Sequence, residues 1–252
     1  MNNLKAAVLS QRLKFTLVLL FVYIALFEFI LPPGRVLPRP TILLESLSAI
    51  WSDYNFLYEL SVSTLIIYGA FIVAFSIIYV LRAPLIKFLL NFSGGLELFR
   101  VFRFFPAVFY AVIFAYWFPG SLVAEGAFLL IAILFYLIVS IMENIPNVNK
   151  DFLLIARNLG AGEKELITEV TWNELLPSLF KSMKRMHFFA WILVILFEFI
   201  GDFSGLGHVY RSALSYNDFA GLFSIAIYIS LLILLGDYLV DFSKQKLVYW
   251  DK

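Results

Sequence analysis

The chain has 252 residues, 62% of them hydrophobic and 15% charged, with a mean hydropathy of +0.90 and a formal net charge of +1. Soluble domains run near half apolar and a quarter charged, so this composition excludes an ordinary water-soluble globule and leaves lipid as the solvent for most side chains. The absence of cysteine removes disulfides and thiolate metal sites, the two histidines, His187 and His208, are too few for a metal cluster, and the near-zero charge argues against a nucleic-acid partner.

A spanning helix needs roughly 20 mostly apolar residues to cross about 30 Å of hydrocarbon. In chain order, six stretches qualify: 15–31, 60–81, 99–118, 122–142, 186–201 and 219–241. They predict an all-α polytopic membrane protein of about six transmembrane helices, forming a single domain over 1–252. The first stretch is followed by Pro32, Pro33, Gly34 and Arg35 rather than a small-residue cleavage site, and reads as a retained helix. The outer segment that follows, about 32–58, predicts an amphipathic helix over 38–53, with Ile42, Leu43, Leu47 and Ile50 at helical spacing. Glu28 and Glu198 are the acids nearest the hydrocarbon by sequence; both lie toward outer helix ends, where snorkelling or a structural hydrogen bond to a neighbouring helix is expected ahead of a functional intramembrane role.

With the N-terminus inside, the inner segments hold all 19 basic residues except Arg35, Arg39 and Arg211. That bias follows the positive-inside rule and predicts both termini in the cytoplasm. The longest polar segment, about 144–185, then falls on the inner side between the fourth and fifth helices. It predicts two short helices hinged at Gly160-Ala161-Gly162, because glycine lets one helix end in a left-handed residue and another begin at an angle. Glu163, Glu165 and Glu169 suit the positive end of the second helix. The result is an exposed knob and the expected partner-binding surface.

Within that knob, Ala156-Arg157-Asn158-Leu159-Gly160-Ala161, then Val170 and Leu176-Pro177, resemble the cytoplasmic loop of bacterial ABC-importer permeases. The usual Glu-Ala and first Leu-Pro of that loop are here Leu154-Ile155 and Trp172-Asn173. Glu198 followed by Gly205-Leu206-Gly207, together with Leu37-Pro38-Arg39-Pro40, Phe105-Pro106 and the closing stretch 237–250, is similar to the nitrate/taurine/sulfonate branch, in the family's order.

The resemblance implies the fold of a type I importer permease in the bacterial cytoplasmic (inner) membrane. It implies two permease copies, as a homodimer or a heterodimer with a related chain, lining one pathway among membrane lipid. Two ATP-binding cassette subunits would grip the inner loops and an external solute-binding protein would deliver the solute. ATPase coupling would fall to Ala156, Arg157, Asn158, Leu159, Gly160, Ala161, Gly162 and Glu163, and an outer gate or binding-protein contact to Glu198, Gly205, Leu206 and Gly207. The substrate implied is a small anion, a sulfonate or a vitamin-precursor-like solute. No catalytic residue, metal or cofactor is expected in this chain: it contains no Gly-x-x-x-x-Gly-Lys-[Ser/Thr] phosphate loop, so ATP and magnesium are expected on the partner subunits. The alternative is a secondary transporter or channel acting without an ATPase, which would want inverted repeats with interrupted helices; no convincing repeat is present. A membrane-embedded enzyme would need clustered His, Asp or Glu near one interface, and the histidines are scattered.

Overall fold

A computed structural model describes residues 14–30, 37–91, 107–202 and 204–250, and among them every regular element is a helix. Helix α1 covers 14–24 and continues as wide, five-residue turns over Ala25–Ile30. It is followed by α2 (Pro40–Asp53), α3 (Phe56–Val80), α4 (Arg82–Asn91), α5 (Ala107–Trp117) and α6 (Leu122–Asn144). The inner knob begins with α7 (Lys150–Asn158); then come α8 (Glu163–Gly201), α9 (Leu206–Ser215) and α10 (Phe219–Leu247). Parts of the expected first and third spans, 31 and 99–106, lie outside the described residues, as do 32–36 of the outer segment.

Three described helices are long and apolar enough to cross a membrane: Phe56–Val80, Leu122–Asn147 and Phe219–Leu247, with mean hydropathies of 2.2, 2.6 and 2.4. A fourth counts when Glu163–Gly201 and Leu206–Ser215 are taken as one broken span. Local chemistry sets the boundaries. Pro40 sits in the first turn of α2, where its missing N–H costs nothing. Ser121 caps α6 by accepting the Ala124 N–H at 3.2 Å, just after the turn at Gly120, whose φ is +75°.

Helix α8 departs from the sequence expectation. The polar loop was expected to end a short helix before a span starting near 186, yet the α-helix is continuous over Trp172–Gly201. Leu175, Leu179, Met183, Met186, Ala190 and Val194 extend one buried seam at helical spacing, and this packing carries the helix through Pro177. The proline leaves only the Asn173 carbonyl without its usual N–H.

The fold has two compact units, Met1–Leu57 with Val209–Tyr228, and Tyr58–His208 with Ile229–Lys252. Within the first, the Trp51 indole donates to the Tyr228 hydroxyl at 2.7 Å, and that hydroxyl donates to the Leu47 carbonyl at 2.9 Å. Phe56 completes the ring cluster, Ser224 donates to Ser46, and Tyr54 donates to Asp218 at 2.9 Å. Glu28 accepts from the Thr41 hydroxyl at 3.1 Å, which ties α1 to the start of α2. Within the second unit α8 packs on α5 and α6, with Trp191, Phe197, Ile133 and Leu137 fully buried. Ser140 and Ser182 join α6 to α8 by a hydrogen bond of 2.6 Å.

Candidate functional site

The inner knob is built on a complete helix stop. Asn149 opens α7 by accepting the Asp151 N–H at 2.9 Å. At the other end, Ala161 N–H bonds the Ala156 carbonyl and Gly160 N–H bonds the Arg157 carbonyl, both at 3.0 Å, with Gly160 left-handed at φ +91°. These paired bonds are the Schellman arrangement, which satisfies carbonyls the helix would otherwise strand. The next helix begins three residues later: the Gly162 N–H donates to the Glu165 carboxylate at 2.9 Å, and Leu166 N–H returns to the Gly162 carbonyl. Thus Ala156, Arg157 and Asn158 form the last turn of α7, Leu159 to Gly162 form the link, and Glu163 opens α8. An ion pair of 3.0 Å between Lys87 and Glu163 adds little, since both side chains are well exposed.

The side chains of α7 are the informative part. Phe152 is 48% exposed, Leu154 55%, Ile155 54% and Leu159 84%. Phe152, Ile155 and Leu159 are three and four residues apart and so share one face of the helix. Sequence reading treated Leu154 and Ile155 only as departures from a motif; the apolar spacing in an otherwise polar segment was the signal that could have marked this face.

The second predicted group is brought together and is buried. Glu198, near the end of α8, accepts the Ser63 hydroxyl at 2.6 Å and the Gly207 N–H at 2.7 Å. Ser63 in turn accepts the Leu206 N–H at 2.8 Å, and Glu59, one turn earlier on α3, accepts the Gly205 N–H. Every backbone N–H of Gly205-Leu206-Gly207 therefore ends on α3 or α8. Glycine is required at 205 and 207 because a Cβ at the first would overlap the Glu198 carboxylate and at the second the Ile195 carbonyl. His208, beside this turn, meets Asp202 at 3.2 Å. Glu59 and Ser63 were missed by sequence reading, and so was Glu125, fully buried in the first turn of α6. By burial Glu125 and Glu59 join Glu198, whereas Glu28 is only half-buried.

Helices throughout the described residues, several of them apolar spans, with a polar knob between two of them, define a polytopic membrane protein. Residues 95–249 match the family described as binding-protein-dependent transport system inner membrane component, and the chain belongs to that family of ABC-importer permeases. It is also similar to the formylaminopyrimidine transport permease protein ThiX of Halalkalibacterium halodurans, 24% identical over 147 residues, 58% of this chain. The match spans 59% of that protein's length, under two thirds of it. The chain is thus a membrane transport permease subunit, of a family that works in general with ATPase and binding-protein partners. The knob, Glu198 and the glycine turn all fall inside the matched region, while Glu59 and Ser63 precede it.

Proposed function

We propose that this chain is the pathway-forming permease of an ATP-driven importer, coupled to two ATP-binding cassette subunits through the loop at 150–177. The observation that carries the reading is the exposed face of Phe152, Ile155 and Leu159 beside the Gly160 helix stop. An apolar helix face left open on a polar loop suits insertion into a groove of a partner. Coupling then falls to Ala156 through Glu163, with ATP and magnesium held by the ATPase subunits and no ATP site in this chain. A second permease copy, identical or related, completes the pathway, and an external solute-binding protein supplies it. Both termini lie in the cytoplasm, the single permease domain covers 1–252, 144–185 faces the cytoplasm and 32–58 the outside.

At the outer end, burial of Gly205, Leu206 and Gly207 favours a gate element over a contact surface, since a fully buried Leu206 offers nothing to a docking protein. The likeness to a formylaminopyrimidine permease supports a small vitamin-precursor-like heterocycle as the solute.

The test is native mass spectrometry of the complex purified in mild detergent. The expected particle holds two permease chains and two ATP-binding subunits, and Leu159→Asp strips the ATPase subunits while leaving the helical circular dichroism intact. A stable particle without ATPase in several detergents would replace this reading with a secondary transporter.

A further inference from the structure

Helices α8 and α10 meet through a row of charges near the C-terminal end of α10. On α8, Lys181 and Lys184 stand three apart, and on α10 Asp237, Asp241 and Lys244 follow at intervals of four and three, so each set shares one helix face. Lys184 ties the two helices, 2.8 Å from Asp241 and 3.8 Å from Asp237. Beside this tie lies a void of about 380 Å³ whose lining includes Lys181, Lys184, Lys244 and Asp241. Even with Asp237 counted, three lysines face two carboxylates, and positive charge is in excess.

A second void, of about 450 Å³, shares the buried Phe180 with the first. Its character is opposite. Ile72 and Phe75 of α3, Met183 of α8 and Leu239, Val240 and Leu247 of α10 make its wall mostly hydrocarbon, and no lysine, arginine, aspartate or glutamate lines it. Ile72, Leu239 and Leu247 are exposed, so this void is open on one side. Both voids lie within the second unit, and α3 and α10 are apolar spans, so the open side faces the bilayer.

We infer that the two voids together hold one anionic phospholipid, its phosphate among Lys181, Lys184 and Lys244 and an acyl chain past Phe180 along α3 and α10. A soluble anion would use the basic void and leave the apolar one open. An uncharged amphiphile would fill the apolar void and leave the excess charge unused. A lipid with a negative phosphate head answers both, because ammonium groups donate to phosphate oxygens while their carbon stems stay against apolar surface. The apolar run of α10 gives way to Lys244 and Lys246, which sets the head at the level where a span leaves the hydrocarbon. The orientation proposed above makes this the cytoplasmic leaflet; the site itself goes beyond the permease reading and does not depend on it.

The test is native mass spectrometry of the detergent-purified protein, with any subunits that accompany it, titrated with phosphatidylglycerol or with phosphatidylcholine of the same chains. Saturable and tighter retention of phosphatidylglycerol is expected. Lys181→Gln and Lys244→Gln should each weaken that retention about fivefold. Lys246→Gln, on the same helix but outside both voids, should leave it unchanged. Leu239→Trp, which fills the apolar void from an exposed position, should weaken both lipids. Equal retention of the two lipids, or binding indifferent to Lys181 and Lys244, overturns the site. Displacement of phosphatidylglycerol by excess inorganic phosphate, or indifference to Leu239→Trp, replaces the lipid with a soluble anion. A dimeric particle that retains no lipid puts a second copy of the chain on this face and overturns the inference as well.

Discussion

Nothing stands within 4 Å of where a Cβ on Gly160 would lie, so the demand for glycine there comes from the backbone alone, at φ +91°. Gly160→Ala should strain the turn by about 1 kcal/mol or more and lower the co-purifying ATPase several-fold, whereas Gly160→Asn, which tolerates left-handed backbone, should retain most of it. Native mass spectrometry of the purified complex reads both. Gly207 is constrained differently: its Cβ would stand 2.6 Å from the Glu198 Cβ and from the Phe199 nitrogen, as well as overlapping the Ile195 carbonyl. Backbone atoms yield little, so Gly207→Ala should cost about 1–3 kcal/mol. Glu198→Ala, which strands the Gly207 N–H and the Ser63 hydroxyl, should cost a similar ~1–3 kcal/mol. Thermal unfolding in detergent measures each. Sequence spacing placed Glu198 next to the glycine turn but could not supply Ser63 or Glu59. Those partners sit more than 130 residues away in the chain, where no local pattern announces them. Glu125 was hidden for another reason: an acid in a first helical turn is ordinary dipole chemistry, which masks its burial.

Helix α2 and the start of α10 belong to one unit, and Tyr54 with Asp218 is a compact tie within it. Burial, followed by the hydrogen bond to Asp218, raises the Tyr54 phenol well above its ordinary range. A raised folded-state value means the stabilisation is complete below the ordinary tyrosine pKa of about 10 and is lost only as alkali reaches the folded value. Tyr54→Phe should therefore cost the same ~1 kcal/mol at pH 6 and at pH 8, measured by thermal unfolding at both. The longest helices were legible because apolar runs of this length have little choice but to span or pack. Helix α8 was legible only in pieces. Its charged middle, from Lys181 to Arg185, reads as loop, but Lys184 reaches Asp241 at 2.8 Å, and the seam below it is buried. Tertiary packing overrode the charge pattern, as it commonly does.

Across the molecule, the proposed orientation rests on where basic residues fall rather than on any contact, and the natural absence of cysteine makes it directly measurable. Leu159→Cys and Tyr216→Cys each place a thiol at a well-exposed position. In intact cells a membrane-impermeant maleimide should label position 216 and spare 159 until the membrane is opened; the reverse pattern would invert the topology. The family match over 95–249 leaves helices α1 to α4 outside it. Yet α3 supplies Glu59 and Ser63 to the glycine turn. Composition and hydropathy made the membrane class plain at once.

Between the knob and the long body of α8 the backbone is wound slack: Leu166–Thr171 form wide turns whose hydrogen bonds span one residue more than those of an α-helix. Tightening such a turn to ordinary winding displaces one residue, and each residue of an α-helix corresponds to about 100° of rotation. A push on Leu159 that took up this slack would therefore reach the far end of α8 as torsion rather than as a shove. It would turn Glu198, and the glycine loop that hangs from it, like a key in a lock.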